Sequence, residues 1–169
     1  MAFFDLILLL ILAGFVIFGI WFGLIHTLGS LVGVVAGAYL AGQYYTTVAS
    51  WGAFIWGDGN GGNVIAFMII LVLVNRLVGL LFYVLDRAFE FIAVIPFLKS
   101  INRLAGGIFG LVEGAITIGL VIFMLARYPI GGWLADQLAA STVASRLVNF
   151  INFLTPLLPE ALNTVKTWF

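Results

Sequence analysis

Residues 101–116 read INRLAGGIFGLVEGAI, and this stretch decides the fold. Glycines recur at Gly106, Gly110 and Gly114, and one acid, Glu113, sits inside an apolar run that extends from about 104 to 126. A helix of roughly 20 apolar residues, rising 1.5 Å per residue, crosses a hydrocarbon core of about 30 Å. The run therefore reads as a transmembrane helix. An ionisable side chain inside such a helix is costly and needs a partner or a task.

The rest of the chain has the same character. Of its 169 residues 64% are hydrophobic and 8% charged, with mean hydropathy +1.24, whereas soluble domains carry about 25% charged residues. One soluble core of this size could not hide so much apolar surface. Net charge is zero and no lysine or arginine run exists, so no nucleic-acid partner is expected. Cysteine is absent, which excludes disulfides, thiolate metal sites and thiol catalysis. The N-terminus, MAFFDLILLL, has no basic n-region and no A-x-A-like site after its apolar run. It reads as a retained first span.

Four apolar runs, at about 6–25, 28–50, 64–85 and 104–126, predict an all-α integral membrane protein with four transmembrane helices in a domain covering 1–128. A break at His26-Thr27 separates the first two. The connector WGAFIWGDGNGGN (51–63) follows, with Trp51 and Trp56 suited to a headgroup-level aromatic belt. Asp86, Arg87 and Glu90 are expected to carry the third helix into the interface, with Pro96 ending it. No barrel is expected, because alternating ten-residue segments do not recur. Residues 129–169 form a more polar tail. Ser141 or Thr142 is placed to cap an amphipathic helix with Ser145, Asn149 and Asn152 on one face and Leu147, Ile151 and Leu154 on the other. Its expected place is the membrane surface, and Pro156 and Pro159 break it.

Lysine and arginine favour the cytoplasmic loops. The loop between the third and fourth spans holds Arg87, Lys99 and Arg103, against Arg127, Arg146 and Lys166 in the tail. Only Arg127 and Arg146 lie close to a span, so both termini are expected outside.

Two charges lie at matching depth. Arg76 is ten residues from Asp86, and Glu113 is ten residues from Arg103. In antiparallel helices both would sit about 15 Å deep, where each alone costs roughly 2.5–3.5 kcal/mol. A direct or water-bridged Arg76–Glu113 pair is the expected solution, serving as a clamp between helices or as part of a gate or polar path. Asn75, Tyr83, Thr117 and Gln43 are the supporting polar residues. Gly29, Gly33 and Gly37 repeat the four-residue spacing of Gly106 and Gly110, and Gly19 and Gly23 add to it. Small residues at this spacing let helices approach in lipid, within one chain or between copies. His26 and Ser30, four apart, lack an orienting acid and a nucleophile-elbow context, so no catalytic set is assigned. Asp58-Gly-Asn-Gly-Gly-Asn63 supplies one carboxylate and no later glutamate, so it reads as a turn and not as a calcium loop. Asp5 suits the positive end of the first helix dipole. No catalytic residue, cofactor or metal is expected.

The segments Phe4-Asp5-Leu6, Gly19-Ile-Trp-Phe-Gly23-Leu24, LGSLVGVVAGAYLA and INRLAGGIFGLVEGAI together resemble the colicin V production protein (CvpA) family of small bacterial inner-membrane proteins. The family pattern D-R-x-x-G-x-x-x-G-x-x-x-G is met by Arg103, Gly106, Gly110 and Gly114, over a resemblance covering about 4–126. Asn102 stands where the family usually has aspartate, and Glu113 where a basic residue is common. Trp21-Phe22 and His26 replace arginines of the first turn. The resemblance implies a four-span, non-enzymatic protein linked to bacteriocin production or export and to envelope maintenance. Some relatives carry an extracytoplasmic protease after the fourth span, in keeping with an outside C-terminus. The implied partners are the bilayer, further copies of the chain, or other envelope proteins. The alternative is a small oligomeric transporter whose polar path includes Arg76 and Glu113.

Overall fold

The computed structural model describes residues 3–57, 59–89, 96–128 and 131–154. All regular elements among them are helices: α1 (Phe3–Phe22), α2 (Leu24–Trp51), α3 (Ala53–Trp56), α4 (Asn60–Phe89), α5 (Pro96–Arg127), α6 (Gly132–Ala140) and α7 (Thr142–Leu154). Four segments are long and apolar enough to span a membrane: Phe3–Phe22, Leu24–Trp51, Asn60–Val84 and Ser100–Arg127. The chain is thus an all-α, multi-pass membrane protein.

Several boundaries differ from the sequence reading. The first two spans part at Gly23, three residues before His26, because Gly23 adopts φ 84°. Side chains rarely adopt that conformation, and a Cβ there would also strike the Asn102 side chain. His26 and Thr27 instead lie in the first turn of α2, where the Thr27 hydroxyl donates back to the Gly23 carbonyl at 2.9 Å. Pro96 opens α5; it does not close α4. Proline is well suited to a first helical turn, whose N–H has no intrahelical partner. α4 runs on through Asp86 and Arg87 as expected, while Glu90 lies outside the described residues. The connector after α2 folds into the short turn α3, and α6 is a helix the sequence did not suggest. Asp58, Pro156 and Pro159 also lie outside the described residues.

The spans pack out of sequence order. α4 lies antiparallel along α2, with Gly29 against Phe82 and Gly37 against Leu71. α1 lies antiparallel along α5, with Gly19 against Gly106 and Phe15 against Gly110 and Gly114. α2 and α5 run side by side in the same direction and join the two pairs, giving the order α4–α2–α5–α1. At the α1–α5 crossing a Cβ on Gly19 would meet the Gly106 carbonyl oxygen, and one on Gly106 the Gly19 oxygen. Backbone therefore meets backbone there, an approach only glycine permits.

Val34, Ala38, Ala41 and Tyr45 of α2 meet Phe67 and Leu71 of α4, and Ile116, Leu120 and Met124 of α5, in the main core. A second core joins Leu8 of α1, Ile118 and Ile122 of α5, and Ala144 and Leu147 of α7. α7 is amphipathic in the expected register: Leu147 and Ile151 are buried, and Ser145, Asn149 and Asn152 are exposed. Its apolar edge rests on α5 over Gly119, whose missing side chain leaves room for Ile151. An open apolar groove of about 660 Å³ runs along the outer face of α2, lined by Leu31, Val32, Val35, Ala36, Tyr39 and Leu40.

Candidate functional site

Several polar groups within the spans lie along the joint between α2 and α5. Glu113 projects from mid-α5 toward α2 and is 7% exposed. Ser30, one and a half turns into α2, donates its hydroxyl hydrogen to Glu113 Oε1 at 2.6 Å. Asn75 of α4 also hydrogen bonds to this carboxylate, and its Oδ1 lies 3.5 Å from Ser30 Oγ. Three helices therefore converge on one acid. Gly33 makes the convergence possible, because a Cβ there would meet Asn75 Oδ1 at 2.5 Å.

Among the described residues no direct bond joins Arg76 to Glu113. Asn75, beside Arg76, turns inward to Glu113, whereas Arg76 is exposed. Its charge acts on Glu113 through space, and the direct hydrogen bonds come from Ser30 and Asn75. Matching depth identifies residues that share a level but not the angle at which each leaves its helix, and adjacent residues diverge by about 100°. Thr117, one turn beyond Glu113, has its hydroxyl buried with no hydrogen-bond partner. Tyr83 is exposed, with its ring edge-on to His26 at 6.5 Å between centroids. Gln43 is exposed and belongs to another level of α2.

The ends of the same joint are also tied. Asn102 Oδ1 accepts the backbone N–H of Leu24 at 3.0 Å. It thereby caps α2 from α5, because Gly23 has no side chain to do so. An aspartate at 102 would present the same acceptor atom. Arg103 is exposed next to it. At the far end the hydroxyls of Tyr45 and Tyr128 lie 3.0 Å apart, and the Arg127 guanidinium lies 5.8 Å from the Tyr128 ring centroid.

Asp5 makes the longest connection. It is 2% exposed and accepts the Ser141 hydroxyl at 2.6 Å and the Val143 N–H at 3.1 Å. The Ser141 hydroxyl in turn accepts the Ala144 N–H at 3.0 Å. Asp5 and Ser141 together cap α7, so Asp5 does more than favour its own helix dipole. The sequence gives the N-cap role of Ser141, but only the fold brings Asp5 to it.

Among the described residues, no group of three or more His, Asp or Glu side chains could hold a metal ion. The candidate glycines all serve contacts within one chain: Gly29, Gly33 and Gly37 receive α4, and Gly106, Gly110 and Gly114 receive α1.

No curated protein matches the chain significantly, and no solved structure does so either. A family model described as colicin V production protein matches residues 4–155. The match runs past the fourth span, where the motif resemblance stopped, and takes in α6 and α7. By this match, and with four helices able to span a membrane, the chain belongs to the colicin V production protein family.

Proposed function

We propose that this chain is a non-enzymatic inner-membrane protein that supports toxin production or export and envelope homeostasis through contacts with other membrane proteins. Family membership supports the link to toxin production. The observation that carries the mode of action is the use made of the buried polar groups. Asp5 caps α7, Asn102 caps α2, and Glu113 joins Ser30 to Asn75. Each holds helices together, while the outer faces of the spans remain broadly apolar and available to other helices. In this reading both termini lie outside and the tail helix sits at the outer membrane surface against α5.

The second reading, a small oligomeric transporter with its path at Arg76 and Glu113, has in its favour the mid-span Ser30–Asn75–Glu113 cluster and the unpartnered Thr117 hydroxyl. Two measurements decide between them. Complementation of a bacterial strain lacking its own family member should restore colicin V secretion with wild type. Solute flux into proteoliposomes should be equal and at background for wild type and Glu113→Gln. A wild-type flux that Glu113→Gln abolishes would overturn the scaffold reading in favour of transport.

A further inference from the structure

α1 and α4 are the two outer members of the packed set, and among the described residues they make no extended contact with each other. Tyr83 lies seven residues beyond Arg76, so the two share one stripe of α4. The Tyr83 ring meets His26, which stacks on Phe22 of α1 at 4.6 Å. The two outer helices are thus bridged at one end by the Phe22–His26–Tyr83 series. Arg76 lies on the same stripe of α4 as Tyr83, exposed and near mid-span.

We infer that the exposed face of α4 around Arg76 is a docking face for a transmembrane helix of another protein, one that presents a carboxylate to Arg76 at mid-depth. This rests on the contact-based function above and names the kind of partner. A guanidinium has five N–H donors and no acceptor capacity, and lipid offers them nothing. Glu113 is already hydrogen bonded by Ser30 and Asn75. The other outer helix gives no help, since every exposed residue of α1 is apolar. An otherwise apolar face of α4 bearing a single cation suits an apolar helix with one acid.

A second copy of the chain does not meet the requirement. The acids within its spans are Asp5 and Glu113, both buried and bonded. The exposed amide of Gln43 lies on α2 near the level of Phe67, judged by the Tyr45–Phe67 ring contact. In a copy of the same orientation that is roughly 12 Å from Arg76 along the membrane normal.

The test uses the full chain in phosphatidylcholine liposomes with a donor dye on Trp133→Cys, the chain having no other cysteine. The probes are labelled leucine–alanine transmembrane peptides with Glu or Leu at the centre, read by energy transfer. Wild type should bind the Glu peptide at least tenfold more tightly than the Leu peptide. Arg76→Gln should abolish that preference, Arg76→Lys should keep part of it, and Arg76→Gln with Leu81→Arg should not restore it. Absence of preference in wild type, or its recovery with the arginine at 81, would overturn the docking face and leave the contact-based function standing. A separate single-cysteine variant, Val72→Cys, should resist a membrane-impermeant thiol reagent. Modification as fast as that of Trp133→Cys would mark a water-filled path and overturn both the docking face and the contact-based function.

Discussion

Asp5 and Ser141 are 136 residues apart in the chain and meet at 2.6 Å, both almost wholly buried. The first turn of the first span thus holds the first turn of the last described helix.

Replacing Asp5 with alanine should leave the Ser141 hydroxyl and the Val143 N–H without their acceptor, destabilising the protein by about 1–3 kcal/mol. The loss should be concentrated in α7, seen as faster proteolysis within 142–154 with the four spans intact in detergent. Asp5→Asn keeps an acceptor oxygen and should cost less. Equal proteolysis of wild type and Asp5→Ala would contradict the cap.

Ser30 and Glu113 should be energetically coupled. Ser30→Ala removes the 2.6 Å bond and leaves an under-bonded acid, at a cost of about 1–3 kcal/mol. Made in a Glu113→Leu background, the same change should cost much less. A double-mutant cycle read by thermal unfolding should give at least ~0.5 kcal/mol of coupling. The parallel cycle for Arg76 and Glu113 should give less, because that pair lacks a direct bond.

Glycines should divide sharply by position. Gly106→Ala would drive a Cβ into the α1 backbone and should separate α1 from α5, lowering the unfolding temperature markedly. Gly79→Ala meets nothing within 4 Å and gains helix propensity of up to about 1 kcal/mol. It should be neutral or stabilising in the same measurement.

Asn102→Asp should be tolerated, since the acceptor to Leu24 N–H survives, whereas Asn102→Leu should cost about 1 kcal/mol by uncapping α2. Hydrogen exchange at Leu24 and Ile25 would report the difference directly.

The sequence shows clearly whatever depends on neighbours along the chain. Four runs of apolar residues establish the spans, Ser141 announces a helix start, and the three-to-four spacing of Leu147 and Ile151 gives the buried edge of α7. It shows poorly whatever depends on which helices meet and at what angle. Ser30 reads as half of a doubtful His26–Ser30 pair until the fold places α2 beside α5. Asp5 looks like a local dipole residue because its partner is 136 positions away. The α1–α2 break fell at Gly23 and not at His26 because a backbone conformation, φ 84°, outweighs a polar side chain in ending a helix.

The pairing of α1 with α5 has a consequence for how the protein is made. Membrane proteins are synthesised from the N-terminus, so α1 enters the bilayer before α5, the helix that receives its Gly19 face. Until then Asp5 has no Ser141 to bond, and Phe15 has no glycines to rest on. The nascent first span must wait, partly unsatisfied, for the rest of the chain. Truncations before α5 should therefore leave an early intermediate open to quality-control proteases, and the final closure of α5 and α7 on α1 is the step that commits the chain to its native form.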